Sequence, residues 1–259
     1  MKKNPVLFLG HGSPMNIILE SEYTNSLVQL AQSLPRPKAI LVISAHWLTK
    51  GTFITSSSAP EAIYDFYGFP QELYEVRYPC PGAAKEIEEA ANVFKNASIV
   101  YEHQRGIDHA AWSVLKHMYP KADIPVMEMS LDYQKKPQEH YELAQKLAPL
   151  REQGFLIIGS GNIVHNLRVI DWDMDAKPYD WAVNFDGIVK KCLVDKNHKA
   201  LIEYEKIGKE ALLSIPTNEH YLPMLYAAAL QSHDEDLMFS YEGFQNASIS
   251  MRCFSIGKF

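Results

Sequence analysis

Four apolar runs too short to be helices, set between stretches long enough to be helices, most constrain how this chain can fold. Residues 6–9 (VLFL), 39–44 (AILVIS), 124–129 (IPVMEM) and 155–158 (FLII) are near-continuous rather than alternating, as expected of strands covered on both faces. Between and beyond them, residues 81–94, 108–118, 137–150, 179–194 and 201–213 have helical length and amphipathic spacing. Strands alternating with helices predict an α/β fold with a mostly parallel central sheet flanked by helices. Residues 249–256 read as a late strand that pairs antiparallel at an edge. A chain of 259 residues, 47% of them hydrophobic, can bury one large core, so a single domain over residues 1–259 is expected.

Charge and cysteine usage narrow the partners. The formal net charge is −6 and the 25 Lys and Arg form no basic run, which leaves no source of attraction for a phosphate backbone and argues against nucleic acid. No run of about eighteen apolar residues occurs, so no membrane helix is expected. The opening MKKNPVLFLGHG lacks a small-residue cleavage site and its apolar stretch stops at Gly10, unlike a signal peptide. Cys80, Cys192 and Cys253 are odd in number and far apart, with no CxxC spacing. That pattern fits reduced, buried thiols in a cytoplasmic protein.

The ten histidines divide into two groups. His103, His117, His140, His198 and His233 sit in polar or helical contexts and read as surface or capping residues. The other five are presented: His11 in GHGSPMN, His46 in ISAHW, His109 in GIDHAAW, His165 in SGNIVHN and His220 in TNEHYLP. His11, His46 and His165 follow predicted strands, and in a parallel sheet the carboxyl ends of the strands share the edge where ligands bind. His109 follows Asp108, a good N-cap, and His220 precedes Pro223, which fits a first helical turn. Any one of these rings could simply bond a backbone carbonyl. Several neutral imidazoles at one sheet edge make a metal site.

Other chemistries are weaker. Ser13 in GHGSP lacks the GxSxG elbow of a serine nucleophile, and Pro14 removes the following backbone N–H. GSGN, residues 159–162, has neither GxGxxG spacing nor a GK[ST] ending. Asp65, Asp108 and Glu219 read as caps or solvated groups beside the histidine stretches. The aromatic-rich segment 56–70, SSSAPEAIYDFYGFP, reads equally as a wall for a flat ligand or as an irregular segment packed on the core.

In this order, GHGSPMN, SAHW, YDFYGFP, DHAAW, GNIVHN and EHYLP resemble the motifs of class III extradiol ring-cleaving dioxygenases of the DOPA 4,5-dioxygenase type, over almost the whole chain. The resemblance implies one α/β domain around a mononuclear non-haem metal, acting with dioxygen on a small catechol-type substrate. It implies His11, His46 and His220 as metal ligands, and His165 as a fourth ligand or as the base that deprotonates the catechol. It leaves His109 to hydrogen-bond oxygen and donate a proton during ring opening. The protocatechuate-type branch supplies a glutamate ligand where this chain has His220 beside Glu219, and adjacent residues on a helical turn point about 100° apart, so His220 alone is expected on the metal.

Fe2+ is the expected working metal, giving a semialdehyde product, and Zn2+ is expected to compete for the nitrogen-rich site. Two other readings use the same residues: a zinc hydrolase, whose metal-bound water has a pKa near roughly 7, and a non-catalytic binding protein on this fold. Oxygen uptake with a catechol separates them.

Overall fold

The computed structural model describes residues 3–257. Its strands, in chain order, are β1 (Val6–Gly10), β2 (Ala39–Thr49), β3 (Phe53–Thr55), β4 (Val100–Glu102), β5 (Val126–Asp132), β6 (Phe155–Gly161), β7 (Asp236–Tyr241), β8 (Phe244–Gln245), β9 (Ile249–Ser250) and β10 (Cys253–Gly257). Eight of them form one sheet in the order β4-β3-β5-β2-β6-β1-β10-β7, and β8 and β9 pair separately. Strands β5, β2, β6 and β1 run parallel, as the four apolar runs predict. Strand β10 pairs antiparallel with β1 on one side and with β7 on the other, so it is not the edge the sequence suggests. The edge on that side is β7.

Both faces of the parallel strands are buried, which is why their sequences lack polar alternation. Val6, Phe8, Leu41, Ile43 and Ile157 point into one apolar cluster, while Leu7, Leu9, Ile40, Val42 and Ile158 point into the other. Helix Leu222–Ala229 packs in the first layer, and helices Glu22–Ser33 and His109–Met118 in the second. Cys80 and Cys253 are buried free thiols and Cys192 is half-buried. No helix among the described residues is long and apolar enough to cross a membrane.

Several helices differ from their sequence-based spans, for local reasons. The 137–150 stretch splits into Pro137–Gln145 and Ala148–Glu152, since Pro149 has no N–H to continue the first ladder. The 81–94 stretch becomes Ala84–Glu89 and Ala91–Asn96, broken at Ala90. The 201–213 stretch is interrupted at Gly208, leaving helix Lys209–Ser214. Residues 249–256 are divided between β9 and β10.

His140 corrects the surface reading of its group. It is fully buried, and its Nδ1 lies 2.9 Å from the hydroxyl of Tyr226. His117 and His198 are half-buried and hydrogen-bonded, His117 to the Asn16 carbonyl and His198 to Tyr141 and Gln231. Burial first, then Lys135, lowers the His140 pKa to about 4. In the unfolded chain it titrates near 6.5, so the unfolded state binds the extra proton between those values. The stability tied to a neutral His140 is therefore complete above about pH 6.5 and is lost as pH falls toward 4. His140→Gln is expected to reduce the drop in unfolding free energy between pH 7.5 and 4.5 by up to about 3 kcal/mol, as denaturant melts at both pH values would show. An unchanged drop would refute this.

Candidate metal centre

Strand register brings the first two histidines together. Gly10 pairs with Gly161 and Ser44 pairs with Ser160, so His11 and His46 emerge on either side of β6 at nearly one level. His46 does not follow its strand as the sequence suggests: β2 continues to Thr49, with a register shift between Ile43 and Leu48. An irregularity of this kind turns a side chain out of the regular alternation. His220 arrives from the other direction, in the turn before helix Leu222–Ala229, with Pro223 in the first turn. A Cβ on Gly161 would sit 2.1 Å from the His220 carbonyl oxygen, so only glycine lets this turn lie on β6, where Asn162 N–H donates to the same carbonyl at 2.8 Å. Gly12, at φ 63°, takes the left-handed conformation that turns the chain after His11.

The imidazoles converge through one kind of atom. His46 Nε2 lies 3.2 Å from His11 Nε2 and 3.2 Å from His220 Nε2. Each ring's other nitrogen has its own acceptor. Ser160 Oγ donates to the Ala110 carbonyl at 2.6 Å, so toward His11 Nδ1, 3.1 Å away, it must accept. His46 Nδ1 donates to Asp65 Oδ2 at 3.0 Å, and His220 Nδ1 to Glu219 Oε1 at 3.2 Å. These bonds leave the Nε2 lone pairs facing one another. A single proton on His46 Nε2 can serve only one of its two contacts, so at least one neighbouring Nε2 lone pair is left without a donor there, which a cation relieves. Ligands on a tetrahedral ion with bonds of about 2.0–2.1 Å are about 3.4 Å apart, close to the spacing seen here. The residues present fit a divalent ion.

His165 and His109 complete the cluster in different ways. His165 stacks on His220 with ring centroids 3.6 Å apart and planes 9° from parallel. A ligating nitrogen lone pair lies in the plane of its ring, so one ion cannot lie in both planes. His109 opens its helix, capped by the buried Asp108 side chain on Ala110 N–H, a contact worth about 1 kcal/mol. Its Nδ1 donates to Asp65 Oδ1 at 2.8 Å, leaving Nε2 free, and its ring is 4.2 Å from that of His46.

Electrostatics follow from this packing. Burial first, then the neighbouring imidazoles, holds His11 and His220 well below the ordinary histidine range. Burial and His46 lower His109, against the pull of Asp65. Burial also pulls His46 down, but the Asp65 hydrogen bond with the charges of Asp108, Asp65 and Glu219 outweighs it and raises the pKa. Asp65 is desolvated, yet its bonds to His109 and His46 hold it well below the usual carboxylate range. His165 lies at about 4, below the near-neutral value its sequence context suggests, because of burial and then His46.

The remaining candidates resolve into supports. Ser13 Oγ accepts from Met15 N–H as a cap, and the GSG of 159–161 is strand rather than phosphate loop. Asp108 anchors Ser44 Oγ at 2.8 Å, and that oxygen accepts from His46 N–H at 3.0 Å. In the 56–70 segment Phe66 packs on Trp112 and Tyr74 in the core, one of the two readings its sequence allowed, and presents its ring edgewise to His109, centroids 5.4 Å apart. Ser160, which fixes the His11 tautomer, is not visible in the sequence as a functional residue.

Comparison with known proteins places the fold in a family. Residues 6–251 match the family model described as the catalytic LigB subunit of aromatic ring-opening dioxygenase. The chain is 42% identical over 257 residues to a 4,5-DOPA dioxygenase extradiol of Escherichia coli strain K12, covering 98% of this chain and 94% of that one. It is 36% identical over 247 residues to a 4,5-DOPA dioxygenase extradiol of Beta vulgaris, covering 91% of each. The crystal structure of an uncharacterized protein from Escherichia coli K12 superposes with a TM-score of 0.85 at 38% identity, covering 98% of this chain and all of that one. Motif order, fold and near full-length similarity converge, and the chain belongs to the LigB family of aromatic ring-opening dioxygenases, the class III extradiol enzymes.

Proposed function

We propose that this extradiol dioxygenase opens the ring of a catechol-type, DOPA-like substrate with dioxygen to give a semialdehyde, using an Fe2+ ion held by His11, His46 and His220. The observation that carries the reading is that His46 Nε2 lies 3.2 Å from the Nε2 atoms of both His11 and His220, each ring backed by its own acceptor. When bound, ferrous ion supplies the redox centre that dioxygen chemistry needs, which zinc lacks.

His165 acts as the base rather than a fourth ligand, given its parallel stacking on His220. Its neutral ring accepts a proton from a catechol hydroxyl, and the charge developing on the substrate oxygens stabilises the imidazolium formed. His109 holds or returns a proton at Nε2, because Nδ1 is committed to Asp65. Phe66 packs its ring edgewise against that of His109 and supplies an apolar surface beside it. The cluster reaches solvent past His46 and Asp65, whose side chains are 23% and 22% exposed, and the substrate enters there.

A site of this composition binds Zn2+ more tightly than Fe2+, so protein purified in air is expected to carry zinc without being a hydrolase. Anaerobic loading with Fe2+, followed by oxygen uptake across a panel of catechols including DOPA, tests the reading. Uptake with a yellow semialdehyde from the iron form and none from the zinc form is expected. Ester hydrolysis by the zinc form, with no uptake by the iron form, would overturn it.

A further inference from the structure

Asp65 serves two of the site's histidines at once, through different oxygens. Oδ2 accepts from His46 Nδ1 at 3.0 Å. Oδ1 accepts from His109 Nδ1 at 2.8 Å and from the His109 backbone N–H at 3.1 Å. The two rings are 4.2 Å apart, with the carboxylate behind both. An ionised carboxylate only accepts hydrogen bonds, so each ring, when neutral, carries its proton on Nδ1 and presents a bare Nε2. Without that partner either ring could turn over to the other tautomer, with a proton on Nε2.

We infer that Asp65 is a shared positioning residue, whose Oδ2 keeps His46 in the metal-binding tautomer while Oδ1 keeps His109 oriented for proton transfer. The inference rests on the proposed roles of His46 as ligand and His109 as proton donor. It makes ion binding and proton handling depend on one side chain that is itself outside the proposed ligand set. Ser160 and Glu219 each back a single ring of the cluster, so a double dependence is particular to Asp65.

The two oxygens can be separated by substitution. In Asp65→Asn the amide oxygen stays with His109, which offers two N–H groups, and the NH2 then faces His46 Nδ1, donor against donor. His46 must move its proton to Nε2 and lose its lone pair. Asp65→Ala removes both acceptors and leaves both rings to water.

The measurements are Zn2+ titration of the metal-free protein by calorimetry and kcat at saturating Fe2+, with thermal melting to confirm folding. Both variants are expected to bind Zn2+ about 10–100-fold more weakly than wild type, the usual cost of removing a partner behind a ligand. They should differ in kcat at saturating Fe2+, where Asp65→Ala falls at least about tenfold below Asp65→Asn, within the range of general acid–base contributions. His109→Gln should lower kcat but leave Zn2+ affinity within about twofold of wild type, since the proposed ligand set does not include its ring, although its ligand atom lies within 4.8 Å of those of His11 and His46. In the double variant Asp65→Ala/His109→Gln, kcat should equal that of His109→Gln alone while the affinity loss persists, the non-additivity of residues acting together.

Equal kcat for Asp65→Ala and Asp65→Asn, or independent losses in the double variant, would show that Asp65 serves His46 alone. Unchanged Zn2+ affinity in Asp65→Asn would show that it does not set the His46 tautomer. Either result overturns the inference. The His46→Ala protein binding Zn2+ like wild type would overturn the ligand assignment as well, so the two failures are distinguishable.

Discussion

His11→Ala and His46→Ala are each expected to leave a folded protein with no stoichiometrically bound divalent ion and no measurable ring cleavage. Both side chains lie at the carboxyl edge of the sheet, beyond the apolar clusters that hold the helices on its two faces. Removing either ring leaves the strands and their register intact. The loss in ion affinity should exceed the roughly 10–100-fold that follows when only a supporting partner is removed, because a bond to the ion itself is missing. His220→Ala belongs in the same class, being the third ring with an Nε2 in contact with that of His46. Metal analysis of the purified variants decides the matter. One tightly bound ion per chain in both His11→Ala and His46→Ala would refute the assignment.

His165→Ala is expected to behave differently, keeping more metal than His11→Ala yet losing turnover by about 10²–10⁴-fold, the contribution typical of a positioned acid or base. The parallel stack on His220 is the reason for the separation. Removing a ligand abolishes both quantities together, whereas removing a base spares the ion. The measurements are the metal content of the variant and its single-turnover rate after Fe2+ loading. Loss of metal equal to that of His11→Ala would make His165 a ligand.

The legible part of the fold was the part with the strongest physical signal. Strands β1, β2, β5 and β6 are buried on both faces, and that double burial writes itself into the sequence as unbroken apolar runs. Strands β3 and β4 are three residues each, too short to carry a run, and β4 is also exposed. Strand β7 mixes exposed and half-buried positions at a sheet edge and escaped because of that exposure. Pro149 and Gly208 marked helix breaks in plain view, but amphipathic spacing on either side masked them.

His11 and His165 could be read because strand ends share an edge, and His109 and His220 because Asp108 and Pro223 mark helix entrances, so local context carried global information. Their partners had no such context. Asp65 meets His109 from 44 positions away, and Ser160 meets His11 from 149 away, through geometry that only the folded sheet creates. Glu219 sits next to His220 in sequence and could be noticed, but its role behind the ring depends on which nitrogen faces it.

The three converging rings also set an order of assembly during synthesis. His46 and His220 are 174 positions apart, a gap that a ribosome at about 5–20 residues per second takes roughly 10–35 s to cross. Throughout that interval the nascent chain offers only two of the three nitrogens. Strand β1 is in a similar position: its neighbours β6 and β10 emerge long after it, the latter almost at the end of the chain. Its apolar Val-Leu-Phe-Leu segment therefore waits for its partner strands until they have been made. With the ligand set proposed above, tight ion capture would be one of the last events in maturation, governed by which metal is available to the finished protein rather than to the growing one.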